Sequence, residues 1–470
     1  MVAENKKPLR LFYCYTRKDK NLRDELDTYL NSLKYQTLIS TWYDGEISPG
    51  EEWTKEIANQ LQTAHIILLL ITPHFIASDY CDGVSFQRAL QRHQAGDIRI
   101  IPIILQHASW QSTPLSSLQA LPTDARPVAQ WPDRDEAFWN ITHGIRKTII
   151  EFHERSRVAQ EWLDKAHDLD NLKRYEEAIA CYDQALLLDP NDLSAYHSKS
   201  TDLASLKRYD EAIAVHNQIL FLDPGDISAY YRKGHALDNL KRYEEAVTTY
   251  DQILLLDPGD ILAYHRKGHA LDNLKRYEEA ITVYDQILLL DPRDTFTYLA
   301  KGHALANLNR YEEAITVYDQ ILLLDSDILA YLAKGHALTT LERYEEVIAV
   351  YDQALLLDPN NAQTYHNKST ALYKLKCYEE ALSASEHAIQ LDPNNAQVYH
   401  NKGIILRKLR RSKEAQYCEE KARQLGYNGQ GRGAVEVLAR QAIKHMNDTR
   451  VKLIYKARDL KKVSIGWKHK

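Results

Sequence analysis

The stretch "ILAYHRKGHALDNLKRYEEAITVYDQILLLDPRD", residues 261–294, carries a pattern that recurs through the second part of this 470-residue chain. Each copy closes with an Asp-Pro pair of the kind that ends a helix, and these pairs recur every 34 residues, with Ser326 replacing one proline and a one-residue deletion following it. The prolines in this series are Pro190, Pro224, Pro258, Pro292, Pro359 and Pro393. A helical pattern with this period predicts a stack of short helix pairs.

Each copy also repeats its internal spacing. In residues 261–294, the small residue Gly268 allows a close approach of the next helix, Ala280 provides a matching gap, and the aromatic Tyr264 comes four positions before the glycine. This pattern resembles the tetratricopeptide (TPR) repeat, which implies an all-α superhelical solenoid. Eight repeats are predicted, at residues 157–190, 191–224, 225–258, 259–292, 293–326, 327–359, 360–393 and 394–427.

The chain before residue 150 has a different organisation. Short β-branched or aromatic runs such as "HIILLLIT" (65–72) alternate with helical patterns, which predicts a parallel sheet covered by helices on both faces. Three polar loops, "YCYTRKD" (13–19), "WYDGEISPG" (42–50) and "TPHFIASDYC" (72–81), follow the predicted strands. Open parallel sheets bind ligands at this carboxyl edge, so we expect the three loops to form a site.

These segments resemble a bacterial Toll/interleukin-receptor (TIR) domain over residues 8–150. The first motif of the family matches Phe12, Cys14, Tyr15, Thr16 and Asp19. Its second motif, the BB loop, matches Asp44, Ile47, Pro49, Gly50 and Trp53, and a late aromatic motif matches Trp131, Phe138 and Trp139. The resemblance implies a flavodoxin-like α/β fold for this part of the chain.

The resemblance also implies an activity. Many TIR domains cleave the nicotinamide–ribose bond of NAD+ after self-association, when the BB loop of a neighbour completes the pocket. NAD+ is then a substrate, and neither a cofactor nor a metal is implied. A glutamate on the helix after the third strand supplies the negative charge that stabilises the developing oxocarbenium ion. In this sequence Ser85 occupies that position and cannot supply the charge.

Other residues are expected to support the reaction or the assembly. Asp82, one helical turn before Ser85, is a candidate substitute for the missing carboxylate, although an aspartate there commonly caps a helix. The NAD+-binding residues that the resemblance implies are Tyr15, Thr16, Arg17, Trp42, Asp44, Tyr80 and Cys81. The BB-loop residues expected to mediate assembly are Ile47, Pro49, Gly50 and Trp53.

Two functions therefore remain open for the sequence. The first is a TIR effector of the NAD+ glycohydrolase type in bacterial immune signalling, catalytically impaired by Ser85 and coupled to a TPR sensor. Such a protein would take part in antiphage defence. The alternative is a non-enzymatic adaptor whose TIR and TPR surfaces recruit protein partners. Ser85 is the residue that discriminates between the two.

The first helix of each repeat is expected to line the concave face of the solenoid. A ladder of polar residues recurs there at the repeat spacing: His235, Asn239, His269, Asn273, His303 and Asn307. Asparagine amides both donate and accept hydrogen bonds and can therefore bind a peptide backbone. The alternative is a solvated polar face copied by duplication. One histidine per repeat is too widely spaced to predict a metal site.

Composition bounds the remaining choices. A formal charge of −6 does not indicate binding to nucleic acid or to a membrane, and the longest apolar run, Ile66–Ile71, is too short to span a bilayer. Five dispersed cysteines and an N-terminus without a signal-peptide pattern predict a cytoplasmic protein.

Between Gly144 and Pro190 there is neither glycine nor proline, which predicts a helical junction. Residues 428–470 are expected to form a basic capping helix and tail.

Overall fold

The computed structural model describes residues 8–43, 57, 60, 61, 63–78, 84–94 and 96–427. The chain divides into two compact units, residues 1–229 and 230–470. The first unit contains the predicted α/β domain and the first two helix pairs, and the second contains the remaining helix pairs. The predicted tail at 428–470 lies outside the described residues.

The described residues of the α/β part form a sheet of four parallel strands. They are β1 (Leu9–Cys14), β2 (Ile39–Trp42), β3 (Ile66–Ile71) and β4 (Arg99–Ile104). The strand order is β2-β1-β3-β4, and every neighbouring pair is parallel. All six residues of β3 are buried, as expected for a continuous aliphatic strand covered on both faces. The parallel-sheet α/β fold predicted from the alternating pattern is confirmed.

Helices cover both faces of this sheet. On one face, Leu11 and Tyr13 of β1 share a core with helix α1 (Lys20–Tyr35) and with the start of helix α4 (Arg134–Asn171). On the other face, Phe12 and Cys14 share a core with α2 (Pro73–Ile76) and α3 (Val84–Gln94). Alternate residues of a strand point to opposite faces, which explains this division. Short 3₁₀ turns occur at Arg17–Asp19, Trp110–Ser112, Pro114–Ser117 and Val128–Gln130.

Helix α4 belongs to both parts of the first unit. It is 38 residues long, and the carboxylate of the preceding residue, Asp133, caps it by accepting a hydrogen bond from the backbone N–H of Asp135. Ile141 and Ile149, in its first half, are buried against the sheet, whereas Ala166, near its end, is buried in the first helix pair. The helical junction that the lack of glycine and proline predicted is therefore confirmed.

Within the described residues, eight helix pairs follow the sheet, and α4 supplies the first helix of the first pair. The remaining helices are α5 (Tyr175–Leu188), α6 (Leu193–Ser205), α7 (Tyr209–Leu222), α8 (Ile227–Asn239), α9 (Tyr243–Leu256), α10 (Ile261–Asn273), α11 (Tyr277–Leu290), α12 (Thr295–Asn307), α13 (Tyr311–Leu324), α14 (Ile328–Thr340), α15 (Tyr344–Leu357), α16 (Ala362–Lys374), α17 (Tyr378–Leu391), α18 (Ala396–Lys408) and α19 (Ser412–Gln424). The all-α repeat fold predicted for this region is confirmed.

In repeats three to six, the glycine of the first helix packs against an aromatic ring of the second helix. A Cβ added at Gly268 would lie 2.5 Å from Cε1 of Tyr284, and one at Gly302 would lie 2.3 Å from Cε1 of Tyr318. The sequence pattern paired Gly268 with Ala280, which is also buried, but the closest group is the tyrosine one turn further along α11. The glycine is required because the ring occupies the space that a side chain would need.

Candidate functional site

The carboxyl edge of the sheet brings together residues from two loops. Asp19, which follows β1 and is only 3% exposed, accepts two hydrogen bonds at its Oδ2. One comes from the hydroxyl of Thr16 at 2.5 Å, and the other from the hydroxyl of Thr72 at 2.7 Å. Thr72 directly follows β3, so the buried carboxylate joins the loops at the ends of the two central strands. The chain leaves β1 and β3 toward opposite faces, which makes this edge the expected binding crevice.

Thr72 also begins the next element. Its hydroxyl oxygen accepts a hydrogen bond from the backbone N–H of Phe75 at 3.1 Å, which caps α2. The predicted NAD+-binding residues Thr16 and Arg17 lie beside this network, and Arg17 is exposed in the 3₁₀ turn that ends at Asp19. Thr72 was not among the predicted site residues, and the only local sign of its role is its position between β3 and a helix that begins with proline.

A buried arginine lies between two tyrosines on the α1 side of the sheet. The Arg23 guanidinium lies 3.7 Å from the ring centroid of Tyr43 and 5.4 Å from that of Tyr15, within the range of cation–π attraction. Arg23 is 4% exposed and forms an ion pair of 2.7 Å with Asp24. Within the described parts of the chain, its Nε has no hydrogen-bond partner. The ring of Tyr15, predicted to bind NAD+, is thus buried beside Arg23.

Trp42 lies on the other face of the sheet. Its ring centroid is 5.5 Å from that of Phe12, and it packs against the core that α3 covers. Trp42 borders a cavity of about 360 Å³, within the size range of small-molecule pockets. Other residues that line this cavity are Arg10, Ser40, Thr41 and Gln60. Trp42 and the ring of Tyr15 therefore do not belong to one cluster.

Helix α3 places Ser85 in its first turn. Phe86 and Ala89 are buried against the sheet and fix the helix on that face. At its other end, Nε of Arg92 lies 2.5 Å from Oδ2 of Asp97, and Nδ1 of His93 accepts a hydrogen bond from the backbone N–H of Ile100 at 3.1 Å. Burial lowers the pKa of His93, which favours the neutral ring that this acceptor role requires.

Several predicted site residues cannot be placed. The side chain of Ser85 lies outside the described residues, and so do all atoms of the following predicted residues: Asp44, Ile47, Pro49, Gly50, Trp53, Tyr80, Cys81 and Asp82. Their assignment to NAD+ binding, assembly or catalysis stays a prediction.

The predicted polar ladder is regular in the second unit. The side-chain amides of Asn239, Asn273 and Asn307 are exposed, and each donates to the backbone oxygen of the histidine four residues earlier, at 2.8, 2.8 and 2.9 Å. One donor of each amide is therefore used within its own helix. A ligand would therefore bind the amide through its oxygen or its second N–H.

Two partly buried aspartates precede the ladder asparagines, and the sequence analysis missed them. Tyr250 donates to Oδ2 of Asp238 at 2.6 Å, and Tyr284 donates to Oδ2 of Asp272. Burial raises the pKa of Asp238 to about 6 and that of Asp272 to about 7. The positive charge of Arg266 counteracts the rise at Asp238, and 34 residues after Arg266 the chain has Ala300 instead.

Across the described ranges, no three or more histidine, cysteine, aspartate or glutamate side chains converge as a metal site would require. Within those same ranges, every helix is too short or too polar to cross a membrane.

Comparisons with known proteins agree with this organisation. The family model of the TIR domain matches residues 11–137. Models of the tetratricopeptide repeat match residues 159–192, 203–267, 261–294, 297–328, 328–361, 362–395 and 384–417. The uncharacterized protein y4lF of Sinorhizobium fredii (strain NBRC 101917 / NGR234) is 43% identical over 137 residues, which are 29% of this chain and 42% of that protein. The chain thus spans less than half of that relative.

Solved structures resemble parts of the chain at low identity. MamA (41-end) from Desulfovibrio magneticus RS-1 is 23% identical with a TM-score of 0.34, over 35% of this chain and 94% of MamA. A tetratricopeptide repeat protein from Parabacteroides merdae ATCC 43184 is 17% identical with a TM-score of 0.38, over 53% of this chain and 97% of that protein. The sheet, the helix pairs and the family matches together show that this chain contains a TIR domain followed by tetratricopeptide repeats.

Proposed function

We propose that the TIR domain is of the NAD+ glycohydrolase type, that Ser85 impairs its catalytic step, and that the repeats act as a sensor that binds a peptide or protein. The position of Ser85 carries this proposal. It lies in the first turn of the helix that follows β3 and α2. The loops that leave β1 and β3 are joined by Thr16, Asp19 and Thr72.

The proposed reaction explains why this position matters. The bond between nicotinamide and ribose breaks, nicotinamide leaves with the bonding electrons, and water adds to the ribose carbon and loses a proton. Positive charge develops on the ribose, so a carboxylate beside it stabilises the transition state. A serine hydroxyl can bind a ribose oxygen but carries no charge. Removing one preorganised electrostatic group lowers the rate by roughly 10²–10³-fold.

A matched pair of variants tests the proposal. Ser85→Glu restores a carboxylate, whereas Ser85→Gln adds a side chain of the same shape without the charge. Nicotinamide release from NAD+ by the full chain should be low for the wild type and for Ser85→Gln, and at least about 100-fold higher for Ser85→Glu. An inactive Ser85→Glu protein that still self-associates would contradict the glycohydrolase assignment.

Assembly provides a second requirement. If a neighbouring BB loop completes the pocket, the activity of Ser85→Glu should rise more steeply than protein concentration. A charge in place of the apolar Ile47 of that loop, Ile47→Glu, should abolish this gain. Activity that stays proportional to protein concentration, with or without the Ile47 change, would argue against a shared site.

The adaptor remains the second candidate, and Ser85 itself favours it, because an adaptor does not require the carboxylate. The two functions differ in cells. If the domain is an NAD+-cleaving immune effector, expression of the Ser85→Glu protein should lower cellular NAD+ and become toxic. If the protein is an adaptor, cells should tolerate the same variant. We propose a cytoplasmic location for either function, because NAD+ is available there and cysteines outside disulfides, such as Cys181 and Cys418, stay reduced.

A further inference from the structure

Exposed leucines recur along the second unit. The second helix of each of four successive pairs, α9, α11, α13 and α15, ends with a leucine that is 74–79% exposed, followed by one that is 43–48% exposed. We call these eight residues the leucine stripe: Leu255, Leu256, Leu289, Leu290, Leu323, Leu324, Leu356 and Leu357. In the first unit, Leu187 and Phe221 take the position of the more exposed leucine and are also exposed.

The fold does not require leucine at this position. In the last two repeats, Gln390 and Gln424 stand where the more exposed leucines stand, and helices α17 and α19 form in the same way. Single exposed apolar residues are ordinary on a protein surface, but a recurring series of them marks an interaction surface. The stripe therefore has a role other than stabilising its own repeats.

The charges at the start of the same helices are paired. Glu244 lies 2.7 Å from Arg276 of the next repeat, and Arg276 also lies 2.6 Å from Glu279 of its own helix. Glu278 and Arg310 repeat the first contact at 3.0 Å. These pairs neutralise the glutamates, which reduces electrostatic repulsion on the face that carries the stripe.

Exposed aspartates such as Asp257 and Asp291 follow the leucines and disfavour docking on an anionic membrane.

We propose that the leucine stripe is the surface on which a second copy of this chain docks, stripe against stripe. The stripe leucines recur once in each repeat, so a partner that contacts all of them must present apolar groups at the interval of the repeats. A second copy meets this condition through its own repeats. Two-fold association pairs a surface with itself, which suits a stripe whose four units are nearly identical.

The size of the stripe fits this partner. With these exposures, the eight leucines present on the order of 800 Å² of surface, which is what one protein contributes to an interface of standard size. Because apolar contact drives the association and salt screens the nearby aspartates, concentrated salt should preserve or tighten the dimer. This dimer does not depend on NAD+ chemistry.

The test is the mass of the full chain in solution, measured by light scattering over a range of concentrations. The fourfold variant Leu255→Gln, Leu289→Gln, Leu323→Gln and Leu356→Gln copies the glutamines of the last two repeats, so its repeats should remain folded. We expect a wild-type dimer that persists in 1 M salt, and a dimer Kd at least about 100-fold weaker in the variant. Circular dichroism and melting temperature should be unchanged.

Two further variants separate this surface from others. In an Ile47→Glu background, assembly through the TIR domain is removed but the stripe dimer should remain. Gln390→Leu extends the stripe by one repeat and should tighten the dimer. A monomeric wild type, a fourfold variant that associates as tightly as the wild type, or a wild type that stays monomeric but binds anionic vesicles would each overturn the proposal.

Discussion

Asn191 donates a hydrogen bond from its side-chain amide to the carboxylate of Asp97, and so joins the turn after the first helix pair to the TIR domain. Arg155 of α4 reinforces this junction, since it donates to the backbone oxygens of both Gly96 and Leu187. Asp97 is also paired with Arg92 near the end of α3. The helix whose first turn contains Ser85 is therefore held at its other end by the first repeat.

Arg155→Ala should loosen this junction. Its loss leaves two backbone oxygens without this donor, which should destabilise the protein by about 1–2 kcal/mol. Amide hydrogen exchange should also become faster around Gly96 and Asp97. Arg157→Ala is the matched control, because Arg157 is 51% exposed and its ion pairs are with Glu154 and Glu161 of its own helix. The effect of this control should be smaller than that of Arg155→Ala, because exposed ion pairs contribute little to stability. Equal effects of the two variants would show that Arg155 has no special role at the junction.

Two glycine-to-alanine variants should behave in opposite ways. At Gly302 the new Cβ would lie 2.3 Å from the ring of the buried Tyr318, so overpacking should destabilise the protein by roughly 1–3 kcal/mol. At Gly403 the nearest atom is Cγ of Glu419 at 3.1 Å, and that side chain can move. There the helix propensity of alanine should dominate, with a gain of up to about 1 kcal/mol. Thermal unfolding measures both, and a stable Gly302→Ala protein would contradict the packing argument.

Arg266→Ala should make stability more sensitive to pH. The pKa of Asp238, about 6 when folded, exceeds the ~3.9 of an unfolded aspartate, so the folded state binds more protons and stability falls as pH rises between these values. Without Arg266 the folded pKa rises further, toward the value of about 7 at Asp272. The variant should therefore lose more stability at pH 8 than at pH 5.

Denaturant unfolding at the two pH values checks this sign. Adding Asp238→Asn to Arg266→Ala removes the titrating group and should remove the extra loss at pH 8. The reverse change, Ala300→Arg, places a cation at the corresponding position of the next repeat and should stabilise the protein above pH 7. A loss from Arg266→Ala that is the same at both pH values would mean that Asp238 is not the group responsible.

Replacing Asn239, Asn273 and Asn307 together with alanine should weaken ligand binding and leave folding nearly unchanged. The side chains are exposed, and each change should alter stability by no more than about 0.5 kcal/mol. Enrichment of a random peptide library on the wild type and on the triple variant measures binding, and melting temperature measures folding. A melting temperature lowered by more than about 10 °C would show instead that the asparagines are structural.

Periodicity in the sequence was sufficient to predict the sheet, the helix pairs and the continuity of α4, because each of these depends on local spacing. Contacts between segments that are distant in the sequence could not be predicted in this way, because they do not depend on local spacing. Thr72 and Asp19, which form a hydrogen bond, are 53 residues apart in the sequence, and no pattern in either loop predicts this contact. Strand register is equally hidden. Phe12 is paired with Trp42, which places the tryptophan on the face opposite the ring of Tyr15, although both were predicted to contact the same ligand.

The shared helix α4 also limits how this protein can be rebuilt. Each residue inserted between Ile149 and Ala166 would rotate everything after it by about 100° and displace it by about 1.5 Å along the axis. An insertion of seven residues completes almost two helical turns, so Ala166 would face nearly its original direction. An insertion of only two residues would rotate Ala166 by about 200°, away from the helix against which it packs. If a different repeat array is fused to this TIR domain, the number of residues in the junction must therefore stay the same.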